Sequence, residues 1–201
     1  NVGGHGFYRV AYSEELRGRL TSDVVATMST LERYNLVDDA WNAVTAGNLD
    51  AIEYVELVER FGDEPEYGVW QSIAIGLRGV RRLLADSDAA VVGYQQRVAA
   101  LVGPALEALG DPALGEPDLT AKLRGLLLGM LAVQGGDADA RQRARKYYAD
   151  WSNDPTSVDA ELAAAATGVI AATGDADDYE AMFELAMGAA TPQVQLRHLY
   201  S

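Results

Sequence analysis

The 201-residue chain contains no cysteine. Disulfides, thiolate metal sites and a cysteine nucleophile are excluded with it, and the absence fits a reducing, cytoplasmic compartment. Histidine is nearly missing too: His5 and His198 are the only two, at opposite ends of the chain. A His-Glu-x-x-His zinc motif needs two imidazoles one helical turn apart, and a serine hydrolase elbow reads Gly-x-Ser-x-Gly. Neither occurs, and no pair of His or carboxylate residues has metal-ligand spacing, so no metal or cofactor is expected on this chain. Lysine is reduced to Lys122 and Lys146, and 16 basic residues face 30 acidic ones. The formal charge of -14 repels a phosphate backbone, which argues against nucleic acid as a partner. Long apolar runs are absent as well. The richest stretches, "GLLLGMLAV" at 125–133 and "ELAAAATGVIAAT" at 161–173, fall short of the roughly 18 residues of a membrane span. The first residues hold no basic segment followed by an apolar one and do not begin with Met, so they read as the interior of a longer polypeptide rather than as a signal peptide.

What is present changes character at residue 13. Before it, "FYRVAY" at 7–12 alternates Tyr8, Val10 and Tyr12 with Phe7, Arg9 and Ala11, the period of a strand. No later stretch reads as its partner. After it, apolar residues recur with the period of a helix. Ser29 with Glu32 predicts a capping box opening a helix to about Ala46, ended by Gly47. Asp50 predicts the start of "AIEYVELVERF", closed near Gly62. Pro65 suits the first turn of a long helix whose apolar stripe is Trp70, Ile73, Leu77, Val80 and Leu84. Ser87 or Asp88 would cap the next, which runs to Leu109 with a kink or break at Pro104. Gly-Asp steps at 110–111, 136–137 and 174–175 punctuate the second half, Gly closing one helix and Asp opening the next. Helices are expected near 118–134, 138–151, 158–173 and 177–188, with another announced by "TPQVQLRHLYS". Short links between helices favour antiparallel neighbours stacked in a row. The predicted fold is therefore all-α, an irregular α-α superhelix of helix pairs, with a short N-terminal β-strand remnant.

Several constellations look chemical and are better explained otherwise. "GDADDYE" at 174–180 begins like a calcium loop, but Glu180 replaces the required Gly and Ala186 the bidentate Glu, which leaves N-cap carboxylates. Asp38 and Asp39 are adjacent, about 100 degrees apart on a helix, and read as a solvated edge or ion-pair partners. "ARQRARKYYADW" at 140–151 mixes Arg141, Arg143, Arg145 and Lys146 with Tyr147, Tyr148 and Trp151, yet its cations spread around the helix and acids bracket them. It reads as a charged face with aromatics packed inward. "GGHG" at 3–6 has no helix behind it to hold a phosphate and reads as a turn.

"NVGGHGFYRVAY", then "TLERYNLVDDAWNAVTAGNLD", then "DEPEYGVWQSIAIGLRGVRRLL" resemble, in order, the zinc aminopeptidase family that includes aminopeptidase N, puromycin-sensitive aminopeptidase and the endoplasmic-reticulum aminopeptidases. In that family a segment of the form N-x-x-x-x-G-[FY]-Y-R-V-x-Y closes a β-sandwich domain. The helical C-terminal domain then opens with E/D-R-x-x-L-x-x-D-A. The match is close over roughly residues 1–85 and thins afterwards. The resemblance implies that residues 1–13 end a preceding β-sandwich and that 14–201 belong to a HEAT-like helical domain continuing past the last residue. It also implies that zinc and the catalytic residues lie in an earlier domain, that this fragment is not itself catalytic, and that the helical domain encloses peptide substrates in the active-site chamber. The expected partners are the parent's own catalytic and β-sandwich domains and its peptides.

One site follows from the residues and the resemblance together. Arg78, Arg81 and Arg82 crowd five positions of the long helix, Arg78 and Arg82 pointing away from the stripe and Arg81 at its border. They read as an ordinary solvated face or as partners of a neighbouring helix. The resemblance offers a second meaning, in which Arg81 foremost receives the carboxylate end of a long peptide. Two alternatives stay open: a free-standing helical-repeat module that binds a protein partner, and a metal-independent enzyme built on scattered carboxylates.

Overall fold

The computed structural model describes residues 5–6, 8–84 and 88–188. These residues form ten α-helices and no strand: α1 (Glu14–Leu20), α2 (Val24–Thr27), α3 (Thr30–Thr45), α4 (Ala51–Val58), α5 (Tyr67–Leu83), α6 (Asp88–Leu109), α7 (Asp118–Gly129), α8 (Ala138–Asn153), α9 (Ala160–Thr173) and α10 (Ala176–Met187). The helix expected from Thr191 onward lies outside the described residues. The chain divides into two compact units, residues 1–108 and 109–201.

In the first unit the caps fall where the sequence puts them. Ser29 and Glu32 close a capping box at the head of α3, and Asp50 and Glu53 do the same for α4. Gly47 takes φ +71 just past α3, a conformation that a side chain disfavours. α3 packs on α4 and α5. Its buried side, Leu36, Val37 and Ala40, meets the core built by Tyr54, Val58, Phe61, Val69, Trp70, Ile73 and Leu77, all fully buried except Ala40 and Leu77 by a trace. Two glycines let aromatics in close. A Cβ on Gly76 would collide with the Tyr54 ring, and one on Gly79 with Trp41, whose ring meets Tyr54 edge-on at 5.6 Å.

Three sequence expectations change here. Pro65 does not lie in the first turn of α5, because the helix starts two residues later at Tyr67. α6 runs on through Pro104 to Leu109, so of the kink or break expected there the break is absent. Of the strand expected at 7–12, Phe7 lies outside the described residues and none of residues 8–12 is in a strand, since no other described residue offers a partner edge. Residues 8–13 lie against α3 instead. Arg9 forms an ion pair with Asp38 and lies 3.9 Å from Asp39, and Arg17 of α1 donates to the Tyr12 carbonyl at 2.8 Å. The short helices α1 and α2 that follow had no clear signal in the sequence.

In the second unit α7 and α8 both pack on α9. The approach of α7 to α9 is closest at Gly125, where an added Cβ would sit 2.9 Å from the Glu161 carbonyl oxygen. α7 widens into one π turn, Met130–Gln134, and the carbonyls it frees are met by later residues: Ala132 accepts from Arg141 Nε at 2.8 Å and Leu131 from the Asp137 N–H at 3.2 Å. Gly136 takes φ +66 and Asp137 caps α8, as the Gly-Asp device predicts. The device fails in part elsewhere. Asp111 opens no helix, because α7 begins only at Asp118, and Gly174 stays at φ -73.

Candidate functional site

Helix α5 is the element to which the sequence assigned a binding role, and its amphipathicity fixes which side chains reach out. Val69, Trp70, Ile73, Ala74, Leu77 and Val80 are buried, so Arg78 and Arg82 emerge opposite them and Arg81 lies half-buried at the edge. All three sit in the last two turns, where the carbonyl end of the helix dipole favours cations. Ion pairs among the described residues engage Arg9, Arg17, Arg33, Arg97, Arg124, Arg145 and Lys146, and none of them involves Arg78, Arg81 or Arg82. The base of the patch is fixed by α6. The buried Tyr94 hydroxyl donates to the Leu77 carbonyl at 2.9 Å, one residue before Arg78. Burial pushes this phenol up from its ordinary range, while Arg81 and then Arg78 pull it down, which puts both guanidinium groups within electrostatic reach of the hydroxyl.

The other candidates resolve into structure. Asp175 and Asp178 make a capping box for α10, and Asp178 is held below its usual range chiefly by the bidentate Arg145 of α8 at 3.0–3.1 Å. In "ARQRARKYYADW", Lys146 pairs with Asp150 at 2.6 Å while Ala140, Ala144 and Trp151 turn inward, the charged face expected. Among the described residues no three His, Asp or Glu side chains could hold a metal ion, and no helix is long and apolar enough to cross a membrane.

Of the two readings of Asp38 and Asp39, the ion-pair one holds, Arg9 pairing with Asp38 and lying 3.9 Å from Asp39, while the solvated edge fails at Asp39. It is buried, and the burial raises its carboxyl pKa against the opposing pull of the Val10 N–H and Arg9. Two further ion pairs join residues 31 and 8 positions apart in sequence. Arg33 at the start of α3 clasps Glu64 before α5, and Arg124 of α7 clasps Glu116 at 2.6 and 2.7 Å while its Nε donates to the Gly110 carbonyl at 2.9 Å. A signal for the first existed: Arg33, Leu36, Asp39 and Ala40 are the fixed letters of the E/D-R-x-x-L-x-x-D-A pattern, and all four are buried. The pattern marks a structural core, not a catalytic one.

Residues 1–201 match the ERAP1-like C-terminal domain over their whole length. The chain belongs to this family. It is 31% identical over 150 residues to aminopeptidase M1-A of Oryza sativa subsp. japonica, covering 73% of this chain and 17% of that protein. It is 29% identical over 181 residues to tricorn protease-interacting factor F2 of Thermoplasma acidophilum, covering 89% and 22%. The puromycin-sensitive aminopeptidase of Caenorhabditis elegans is 26% identical over 191 residues, covering 92% and 20%. The chain thus spans about a fifth of the length of these relatives.

Proposed function

We propose that the chain is the helical C-terminal domain of a zinc-dependent aminopeptidase, which encloses peptide substrates beside a catalytic centre carried by another part of the same polypeptide. The observation that carries this is the match of all 201 residues to a domain family, in a chain whose relatives are named as aminopeptidases several times its length. The residues described here do not fit a zinc site, so this reading assigns the metal, and every step at it, to the preceding polypeptide. Residues 1–13 are taken as the end of a β-sandwich domain and 14–201 as the helical domain, acting in the cytoplasm. Arg81, with Arg78 and Arg82 beside it, is taken as the contact for the carboxylate of a long peptide, because guanidinium binds carboxylate in a bidentate fork and these three are engaged in no other ion pair among the described residues.

The test is the full-length protein. It should carry a His-Glu-x-x-His with a further Glu ligand upstream of this chain, hold one zinc per polypeptide, and release the first residue of aminoacyl amides and peptides. A full-length protein without that motif and without turnover would instead leave a helical-repeat binding module.

A further inference from the structure

Tyr54 of α4 is fully buried, and its hydroxyl meets no hydrogen-bond partner. A hydroxyl that has left water without gaining a partner is a cost that native structures rarely carry. It lies against backbone instead: a Cβ on Gly76 of α5 would collide with the Tyr54 hydroxyl, and one on Gly79 with the Trp41 ring of α3. The last two turns of α5 therefore rest on two aromatic rings through two glycines one turn apart. Such a contact does not interlock. Side chains packed as ridges into grooves hold a helix in register, whereas glycine offers no side chain and weakens the helix that contains it.

From α6, Tyr94 donates to the Leu77 carbonyl at 2.9 Å, and the two phenols, Tyr94 and Tyr54, sense each other electrostatically. A helix carbonyl accepts once from the amide four residues on and keeps a lone pair for a second donor. Leu77 has received that second donor. Gly76, beside the Tyr54 hydroxyl, receives none from the described residues. We propose that residues 76–83 pivot about the Tyr94–Leu77 hydrogen bond between the present arrangement and a second, in which the Tyr54 hydroxyl donates to the Gly76 carbonyl. Arg78, Arg81 and Arg82 ride on the moving part, and no ion pair among the described residues ties them to the rest of the unit. The second arrangement satisfies the stranded hydroxyl and disturbs the packing of Gly79 on Trp41, two opposing effects that keep both arrangements within reach. An anion held by the three guanidinium groups shifts the balance by the difference between its affinities for the two. The pivot rests on the proposed function only for the nature of that anion, the carboxylate of a long peptide.

Methyl relaxation dispersion on the full-length protein reads motion on the microsecond-to-millisecond scale and tests the pivot. The methyls of Val80 and Leu83 should show exchange, and those of Leu36 and Val37 in α3 should not. Tyr54→Phe removes the hydroxyl and with it the second arrangement. The exchange should then be lost while the thermal unfolding midpoint rises, because a stranded polar group has gone. A midpoint that does not rise shows that the hydroxyl is already satisfied in the present arrangement, and it overturns the pivot. Exchange that is absent from the parent protein, or that persists in Tyr54→Phe, overturns it as well. A long peptide with a free C-terminal carboxylate should change the exchange at Val80 and Leu83, and the same peptide amidated should not. If the two peptides act alike, the arginines do not receive a peptide carboxylate, and the pivot is decided by the Tyr54 variant alone.

Discussion

Arg33 and Glu64, 31 residues apart, form a two-pronged ion pair with almost no solvent around it. Nε lies 2.6 Å from one carboxylate oxygen and Nη2 2.9 Å from the other, with side-chain exposures of 7% and 0%. The remaining capacity is used as well: Nη1 donates to the Met28 carbonyl at 2.7 Å, and Glu64 accepts the Glu66 N–H at 3.0 Å. Trp70 Nε1 donates to the Glu64 carbonyl at 2.8 Å, so the turn before α5 is tied to both helices.

Removing one partner of such a pair strands a buried charge. Arg33→Met is expected to cost about 3–5 kcal/mol in urea unfolding, with Glu64→Met similar. The double substitution should cost clearly less than the sum, because no unpaired charge is left. Additive losses would show that the two residues act independently.

Gly125 and Gly168 make a matched pair of experiments on α7 and α9. A Cβ at 125 would stand 2.9 Å from a backbone oxygen, which cannot swing aside, whereas one at 168 meets nothing within 4 Å. Gly125→Ala should destabilise by about 1–3 kcal/mol through helix displacement. Gly168→Ala should be neutral or stabilise by up to about 1 kcal/mol, since alanine loses less backbone entropy in a helix. Thermal unfolding of the two variants decides it, and equal effects would rule out the close approach of α7 to α9.

Two carboxylates should impose pH dependences of opposite sign. Arg124 holds Glu116 below its usual range, so the pair's stability is present above the ordinary glutamate pKa, about 4.3, and is lost as pH falls through the depressed value. Glu116→Gln should lower stability near neutrality and flatten that acid loss. Asp39 is raised instead, chiefly by burial, so the native state holds its proton more tightly and stability falls as pH rises from the ordinary aspartate value, about 3.9, through the raised one. Asp39→Asn should remove that fall. Unfolding midpoints across pH 2–7 read both effects, and a shared sign would contradict the assigned causes.

Local rules carried the sequence far in this molecule, and their limits are physical. The capping boxes at Ser29 and Asp50 and the stripe of α5 were legible because each is decided within a few residues. The π turn at 130–134, the late start of α5 and the burial of Asp39 were not, because each depends on a distant partner: Arg141, the Glu64 turn and Arg9. The arginines of the candidate site were placed correctly on their faces for the same local reason. What they bind is set by groups outside α5, which periodicity does not encode.

Arg81 is where that question becomes measurable. It is the half-buried member of the trio, at the border of the buried stripe, and among the described residues no ion pair engages it. The Tyr94 hydroxyl ties this turn of α5 to α6 through the Leu77 carbonyl. A charge-assisted contact between guanidinium and carboxylate is worth about 1.5–3 kcal/mol, or roughly 10- to 100-fold in kcat/KM. If Arg81 receives the far end of a long peptide as proposed, Arg81→Ala in the full-length protein should lower kcat/KM for long peptides by that factor and leave a single aminoacyl amide, which has no such far end, unaffected. Amidating the C-terminus of the long peptide should reproduce the loss in the parent protein and cause no further loss in the variant. Arg78→Ala and Arg82→Ala, on the exposed face, should have smaller effects that fade with added salt. Equal losses on long and short substrates would assign Arg81 to stability, and no loss on either would return it to the helix surface as a dipole-matched charge.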